Sequence, residues 1–183
     1  MLNTRSIIVI NFNLQVYGKE NLQLMLHIRP HHLIDIIRNI GQGRPVVPHP
    51  YGHAQHTITQ SILAGTEREI SFVIGADDLC KPCIHLTAEG ICEDILPQLE
   101  YRVLKQEYND DLDHRLLEYL GLKENTAVSL AVFLDMIVKN MAGLVTICTH
   151  PKEDESSRRS GLEKGIAILR RGDGEMGRVR SKE

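Results

Sequence analysis

Aromatic residues are scarce in this chain: they make up 4% of its 183 residues, and tryptophan is absent. A platform for stacking nucleobases, or an aromatic cage for a cation, has little to be built from. Nor is there a surplus of one charge. With a formal net charge of −3 and a pI near 6.3, no basic field draws the chain onto nucleic acid or an anionic membrane, and neither is expected as a partner. The N-terminal apolar run, Ile7 to Ile10, is cut short by Asn11 and Asn13, too brief for a signal-peptide core or a spanning segment. A cytoplasmic protein without a membrane segment is the expectation, with metal or small-molecule chemistry left open.

Cysteines are few, four in all, but Cys80, Cys83 and Cys92 fall within thirteen positions. A reducing compartment keeps them as thiols, so the cluster argues for metal or redox chemistry rather than a disulfide framework. The length and the 42% hydrophobic content suffice for one buried core without staples.

Residues 1–24 show poor periodicity, and a convincing element begins only after Met25. They read as a non-native or disordered extension, with translation starting at Met25; the codons of Gly18-Lys19-Glu20 can spell a purine-rich ribosome-binding sequence. A globular domain is expected over 25–150. Leu26 to Arg29 reads as extended, and Pro30 opens a helix through Ile40, with Leu33, Ile36, Ile37 and Ile40 at helical spacing and Gly41 as its stop. Pro45, Pro48 and Pro50 make 43–52 a loop. A second helix covers His53 to Leu63, and Glu69 to Ile74 is the one clear strand. Helix is expected again over Glu93 to Tyr108 and over Asp111 to Leu120, the latter ended by Gly121. Asn125 or Thr126 caps the longest helix, which leads to Gly143. Residues 151–183 read as a solvated linker, a short helix over Gly161 to Arg170 and a disordered tail. The fold class is mostly α-helical α+β, a single domain with a small β element next to the cysteine loop.

Cys80-Lys81-Pro82-Cys83 places two sulfurs on one tight turn, and Cys92 returns after eight residues that include Gly90. Three convergent soft ligands result. A tetrahedral thiolate site wants a fourth, and Cys148 is the one remaining thiol; its alternative role is that of a small buried hydrophobe. Zinc and iron–sulfur clusters both accept such ligands. One Cys-x-x-Cys knuckle plus single cysteines is closer to the irregular spacing of a 4Fe–4S cubane than to a paired zinc ribbon. Dithiol exchange is the competing chemistry, yet Gly90 and Cys92 leave little room for the helix that activates the first thiol.

Nine histidines are present, several grouped. His53 and His56 share a helix face and either bind a metal together or simply cap a helix start beside the proline loop. His31 and His32 point in different directions around the first helix. His85, two positions after Cys83, is a substitute for Cys148 as ligand or a hydrogen-bond donor to sulfur, and Asp35, Asp77 and Asp78 are candidate acceptors for ligand histidines.

Leu26-His27-Ile28-Arg29-Pro30-His31-His32-Leu33, Gly41-Gln42-Gly43 and Gly75-Ala76-Asp77-Asp78-Leu79-Cys80, with the later cysteines, carry a family resemblance. Over about Leu26 to Cys148 the chain resembles an uncharacterised family of small bacterial and archaeal proteins, a domain of unknown function. The resemblance implies iron–sulfur binding and marks His31, His32, Cys80, Cys83 and Cys92 as the positions of interest, with Cys148 less secure. Asp35 departs from the family pattern, which has cysteine at that place.

The functional expectation is a metal-binding protein holding an iron–sulfur cluster through Cys80, Cys83, Cys92 and Cys148, with His31, His32 and His85 as second-tier ligands. Its role is electron transfer, redox sensing or substrate activation, with a redox or protein partner whose identity the residues do not specify. The alternatives are a zinc-stabilised structural module and a metal-dependent enzyme with an open coordination position, His31 or His32 acting as acid or base beside it.

Overall fold

The computed structural model describes residues 25–65, 69–97, 103–147 and 154–180, so the N-terminal extension and Cys148 lie outside the described residues. Leu26, His27 and Ile28 run buried, exposed, buried, the period of a strand with one face on a core, and form β1 (Leu26–Ile28). It pairs in parallel with β2 (Glu69–Phe72), Ile28 opposite Phe72, and β2 pairs antiparallel with β3 (Ala127–Ser129), Ile70 opposite Val128. A single expected strand is thus the centre of a three-stranded sheet.

Two helices make the crossover between the parallel strands. In α1 (Pro30–Gly41), Pro30 stands in the first turn, where its missing N–H costs nothing. Leu33, Ile34, Ile36 and Ile37 turn inward, and α2 (Gln55–Leu63) contributes Ile58 and Ile62. The proline loop between them is irregular but tied down: the Ala54 N–H donates to Leu79 O at 2.9 Å and the Ile84 N–H to Tyr51 O at 2.9 Å, joining it to the cysteine loop.

The stretch expected to be helical from Glu93 instead forms a bridge between Ile95 and Leu104, and α3 runs over Lys105–Leu120. Pro97 and local pairing outweigh a helical period there. Gly121 ends α3 in the left-handed conformation, φ 66°. The next helix, α4 (Leu130–Ile147), is not capped by Asn125 or Thr126, since residues 127–129 are claimed by β2; Ser129 Oγ accepts the Val132 N–H at 3.2 Å. Among the described residues α4 alone has the length and apolar composition of a membrane span, yet its Phe133, Leu134, Ile137 and Leu144 are core residues.

The last helix, α5 (Glu155–Arg180), departs most from expectation. It starts within the stretch read as linker and runs through the stretch read as tail. Its Leu162, Ile166 and Leu169 join the core, and the helix packs against α1. The contact is unusually close because three glycines meet: a Cβ on Gly41 would lie 1.9 Å from Gly161 O, and one on Gly165 1.9 Å from Ile37 O. The core is centred on Phe72 and Phe133, whose rings stand 4.7 Å apart, with Ile28, Leu33, Ile36, Ile37, Leu116 and Ile137 around them. Burying each such side chain contributes about 1.5–3 kcal/mol.

Candidate metal centre

Parallel strands point their carboxyl ends the same way, and ligands collect where the chains leave such ends. Arg29 to His32 leaves β1 on that side, and Gly75 to Cys80 follows β2. The two segments are stitched together by Asp77, which is fully buried. Its Oδ2 accepts the Arg29 N–H and faces His32 Nδ1, both at 2.8 Å; its Oδ1 accepts the Cys80 N–H at 2.9 Å. Asp78 reaches across to the outer edge of β1, accepting the His27 N–H at 2.8 Å and, from Lys81 Nζ, a second bond of 2.6 Å.

The cysteines are placed by consecutive turns. The Cys80 N–H donates to Asp77 O, the Cys83 N–H to Cys80 O and the Leu86 N–H to Cys83 O. A small hairpin then brings the chain back: Leu86 and Cys92 form a bridge, and Gly90 makes the bend with φ 81°. Gln106 Oε1 on α3 accepts the Cys92 N–H at 3.0 Å, and Lys105 Nζ donates to Asp94 at 3.0 Å, fixing the far side. Cys80, Cys83 and Cys92 consequently line one cleft of about 60 Å³, together with His32, His53 and His85. That is space for several waters, or for an ion among its ligands. All three thiols are free and half-buried.

Within the cleft wall, a ring nitrogen of His32, a carboxylate oxygen of Asp77 and the Cys80 sulfur lie within 4.8 Å of one another, the one such group of three among the described residues. Cys83 and Cys92 line the same cleft but are not part of this group. His85 packs edge-on against Tyr51, ring centroids 4.4 Å apart, and His53 stacks on His49 at 4.0 Å. The buried Nδ1 atoms of His53 and His56 have no hydrogen-bond partner.

His31 packs its ring against that of His32, centroids 4.2 Å apart, but pairs with a different carboxylate. Its backbone N–H and its Nδ1 both reach Asp113 Oδ1 on α3, at 2.9 and 2.8 Å, so a distant carboxylate caps the first turn of α1 and holds the ring, which is not part of the cleft lining. Arg29 completes the network: Nε donates to Asp113 and Nη2 to Asp110, each at 2.6 Å, and Nη1 to Gly75 O at 2.9 Å.

Electrostatics follow from these contacts. Burial and the nearby Asp77 charge push the Cys80 thiol up to about 12, so it keeps its proton at neutral pH unless a metal displaces it. Burial also acts to raise the Asp77 carboxyl, but His32, the Arg29 N–H and Cys80 outweigh it and hold the group well below the usual carboxylate range. Burial lowers His53 to about 4, helped by His49 and His32, leaving a neutral imidazole. His31 is lowered by burial and by His32 despite Asp113. Asp113 is opposed by burial yet held low by His31 and Arg29. As burial drives His31 toward neutrality, the Arg29 guanidinium is the lasting counter-charge.

Cys80, Cys83, Cys92, His32 and His85 line the same cleft, but among the described residues the one compact group of potential ligands is His32, Asp77 and Cys80, without Cys83 or Cys92. Asp77 serves as the acceptor for His32, whereas Asp78 turns to β1 and Asp35 pairs with Arg38 at 3.2 Å. Sequence reasoning missed Arg29, Asp113 and Asp110. Nothing in local spacing announces a pairing across 84 positions, although a lone arginine between a strand and a proline-initiated helix is a cue.

Fold and site together define a small, mostly helical α+β protein with a thiol- and imidazole-lined cleft at the carboxyl ends of two parallel strands. The chain belongs to the family described as "Protein of unknown function (DUF1284)", which matches residues 51–152, more than half of its length. The matched stretch holds all three thiols, Asp77 and Asp113; β1 and α1, with Arg29 and His32, precede it. No curated protein and no solved structure matches the chain.

Proposed function

We propose that the cleft holds a metal centre on the thiolates of Cys80, Cys83 and Cys92, an iron–sulfur cluster serving a redox or sensing role. The observation that carries this is that three cysteines from two separate turns line one partly enclosed cleft that imidazoles also line. Free thiols gathered this way in a packed protein have no role in the core, and soft sulfur donors suit iron–sulfur clusters and zinc. Arg29 and Lys105 also line the cleft, each already paired with carboxylates, Arg29 with Asp113 and Asp110 and Lys105 with Asp94. Asp77 is not counted among the ligands. Its oxygens already accept buried N–H groups from Arg29 and Cys80, and coordination would leave those donors unsatisfied.

A single zinc ion is the second reading, favoured by the compact grouping of His32 and Cys80 within 4.8 Å. A tetrahedral zinc with bonds of about 2.3 Å holds its sulfurs only about 3.8 Å apart, closer than a cluster requires.

Anaerobic purification decides between them. A brown protein absorbing near about 400 nm, as cysteinyl iron does, with iron and acid-labile sulfide in equal amounts, is expected. Cys83→Ser and Cys92→Ser should each lose most of it. Colourless protein with one zinc per chain would replace the cluster by the ion, and full metal content in both serine variants would remove the thiolate centre altogether.

A further inference from the structure

We infer that the fourth ligand of this centre is His32, through Nε2, with Asp77 as the carboxylate that positions it. The inference rests on the metal-centre reading and adds the group that completes its coordination.

Three imidazoles line the cleft, and they are held differently. His32 Nδ1 lies 2.8 Å from Asp77 Oδ2. A carboxylate takes the N–H of a neutral imidazole, so the proton sits on Nδ1 and the lone pair on Nε2 is free, the arrangement by which metal-binding histidines are oriented. The same carboxylate, through Oδ1, takes the Cys80 N–H at 2.9 Å. One buried group therefore sets both the ring and the first residue of the thiolate turn. One ring nitrogen of His32, an Asp77 oxygen and the Cys80 sulfur lie within 4.8 Å of one another, which puts the ring beside the first residue of the thiolate turn.

The competing imidazoles lack this preparation. His85 rests edge-on against Tyr51, close enough to Asp94 to influence its charge but not hydrogen-bonded to it, and His53 is stacked on His49 with its buried Nδ1 unpartnered, so among the described residues neither ring has a carboxylate hydrogen bond of the kind that holds His32. His31 has an equivalent carboxylate in Asp113, but its ring is not part of the cleft lining. Cys148 is not required for a four-ligand site of three thiolates and one imidazole.

A neutral imidazole in place of a fourth thiolate reduces the negative charge of the centre by one. For a cluster this raises the reduction potential, as histidine does when it replaces cysteine on iron.

The test uses full-length chains purified anaerobically: wild type, His32→Ala, His32→Cys, Asp77→Asn, His53→Ala, Cys148→Ser and Cys83→Ser. Metal and sulfide content, release of metal to a chelator and the reduction potential are measured. Cys148→Ser should match wild type. His32→Ala should release metal at least tenfold faster, with added imidazole restoring retention. His32→Cys should keep the metal at a lower potential, and Asp77→Asn should weaken retention by about 10–100-fold. Circular dichroism separates these effects from misfolding, and His32→Cys, which still supplies a ligand, keeps the test open if His32→Ala does not fold. Wild-type content, release and potential in both His32 variants would overturn the assignment, as would loss of metal in Cys148→Ser or His53→Ala with His32→Ala unaffected. If Cys83→Ser also keeps its metal, the thiolate centre itself fails, a result separable from failure of the His32 assignment.

Discussion

Asp113→Ala should be the most damaging single change outside the apolar core. The Asp113 side chain is 0% exposed and that of Arg29 3%. The carboxylate holds Arg29 Nε at 2.6 Å and the His31 N–H at 2.9 Å. Breaking a buried ion pair from one side costs about 3–5 kcal/mol, because the remaining charge stays buried. The orphaned N–H of His31 would add about 1–3 kcal/mol if nothing replaced its partner. Two contacts remain to Arg29, Asp110 at 2.6 Å and Gly75 O at 2.9 Å, so the lower end of the range applies. Equilibrium urea unfolding of the metal-free protein should therefore show a loss of about 3 kcal/mol from the ion pair alone, rising to about 4–6 kcal/mol if the His31 N–H finds no new partner, seen as a lower midpoint at unchanged slope. Asp113→Asn keeps an acceptor for His31 while removing the charge and should fall between alanine and wild type. A loss below about 1 kcal/mol for alanine, no more than a neutral hydrogen bond is worth, would refute the idea that this carboxylate secures α1 to α3.

Two further outcomes follow from the same contacts. Gly165→Ala would gain up to about 1 kcal/mol of helix propensity, but its Cβ would sit 1.9 Å from Ile37 O. Overpacking of this kind costs about 1–3 kcal/mol or more, so a net loss in urea unfolding is expected; unchanged or higher stability would mean that α1 and α5 do not approach at this point. Zinc binding by the metal-free protein, measured against a competing chelator of known proton affinity, should strengthen with pH because each thiol gives up its proton. An ordinary thiol stops contributing near pH 9, whereas Cys80, raised to about 12 by burial and Asp77, keeps contributing above it. A plateau at pH 9 would contradict that environment.

Much of the helical content was legible because its signals are local. Pro30 and Gly121 mark ends that the structure keeps, whereas Gly41 lies inside α1 and Gln42, followed by left-handed Gly43, ends it; Leu33, Ile36 and Ile37 repeat at helical spacing on the face they bury. Where the reading failed, a partner distant in sequence decided. Residues 127–129 became a strand because β2 offered an unpaired edge, and Ile95 paired with Leu104 where a helix was expected. The charged, Ser-rich stretch before Gly161 became helical because α5 finds a face of α1 on which Gly41, Gly161 and Gly165 permit close packing.

The thiolate loop shows the same division at the site itself. Cys80, Cys83 and Cys92, with the turn between the first two and the bend at Gly90, are specified by residues adjacent in the chain, since turn geometry depends on a few neighbouring dihedrals. Which histidine would stand beside them is not specified there. His31 and His32 are neighbours with the same chemistry and rings 4.2 Å apart, and only the fold gives Asp113 to one and Asp77 to the other, so that the second alone lines the cleft. Consecutive helical side chains diverge by about 100°, so the direction of each was set by periodicity, but the carboxylate awaiting it came from a segment 82 or 45 positions away.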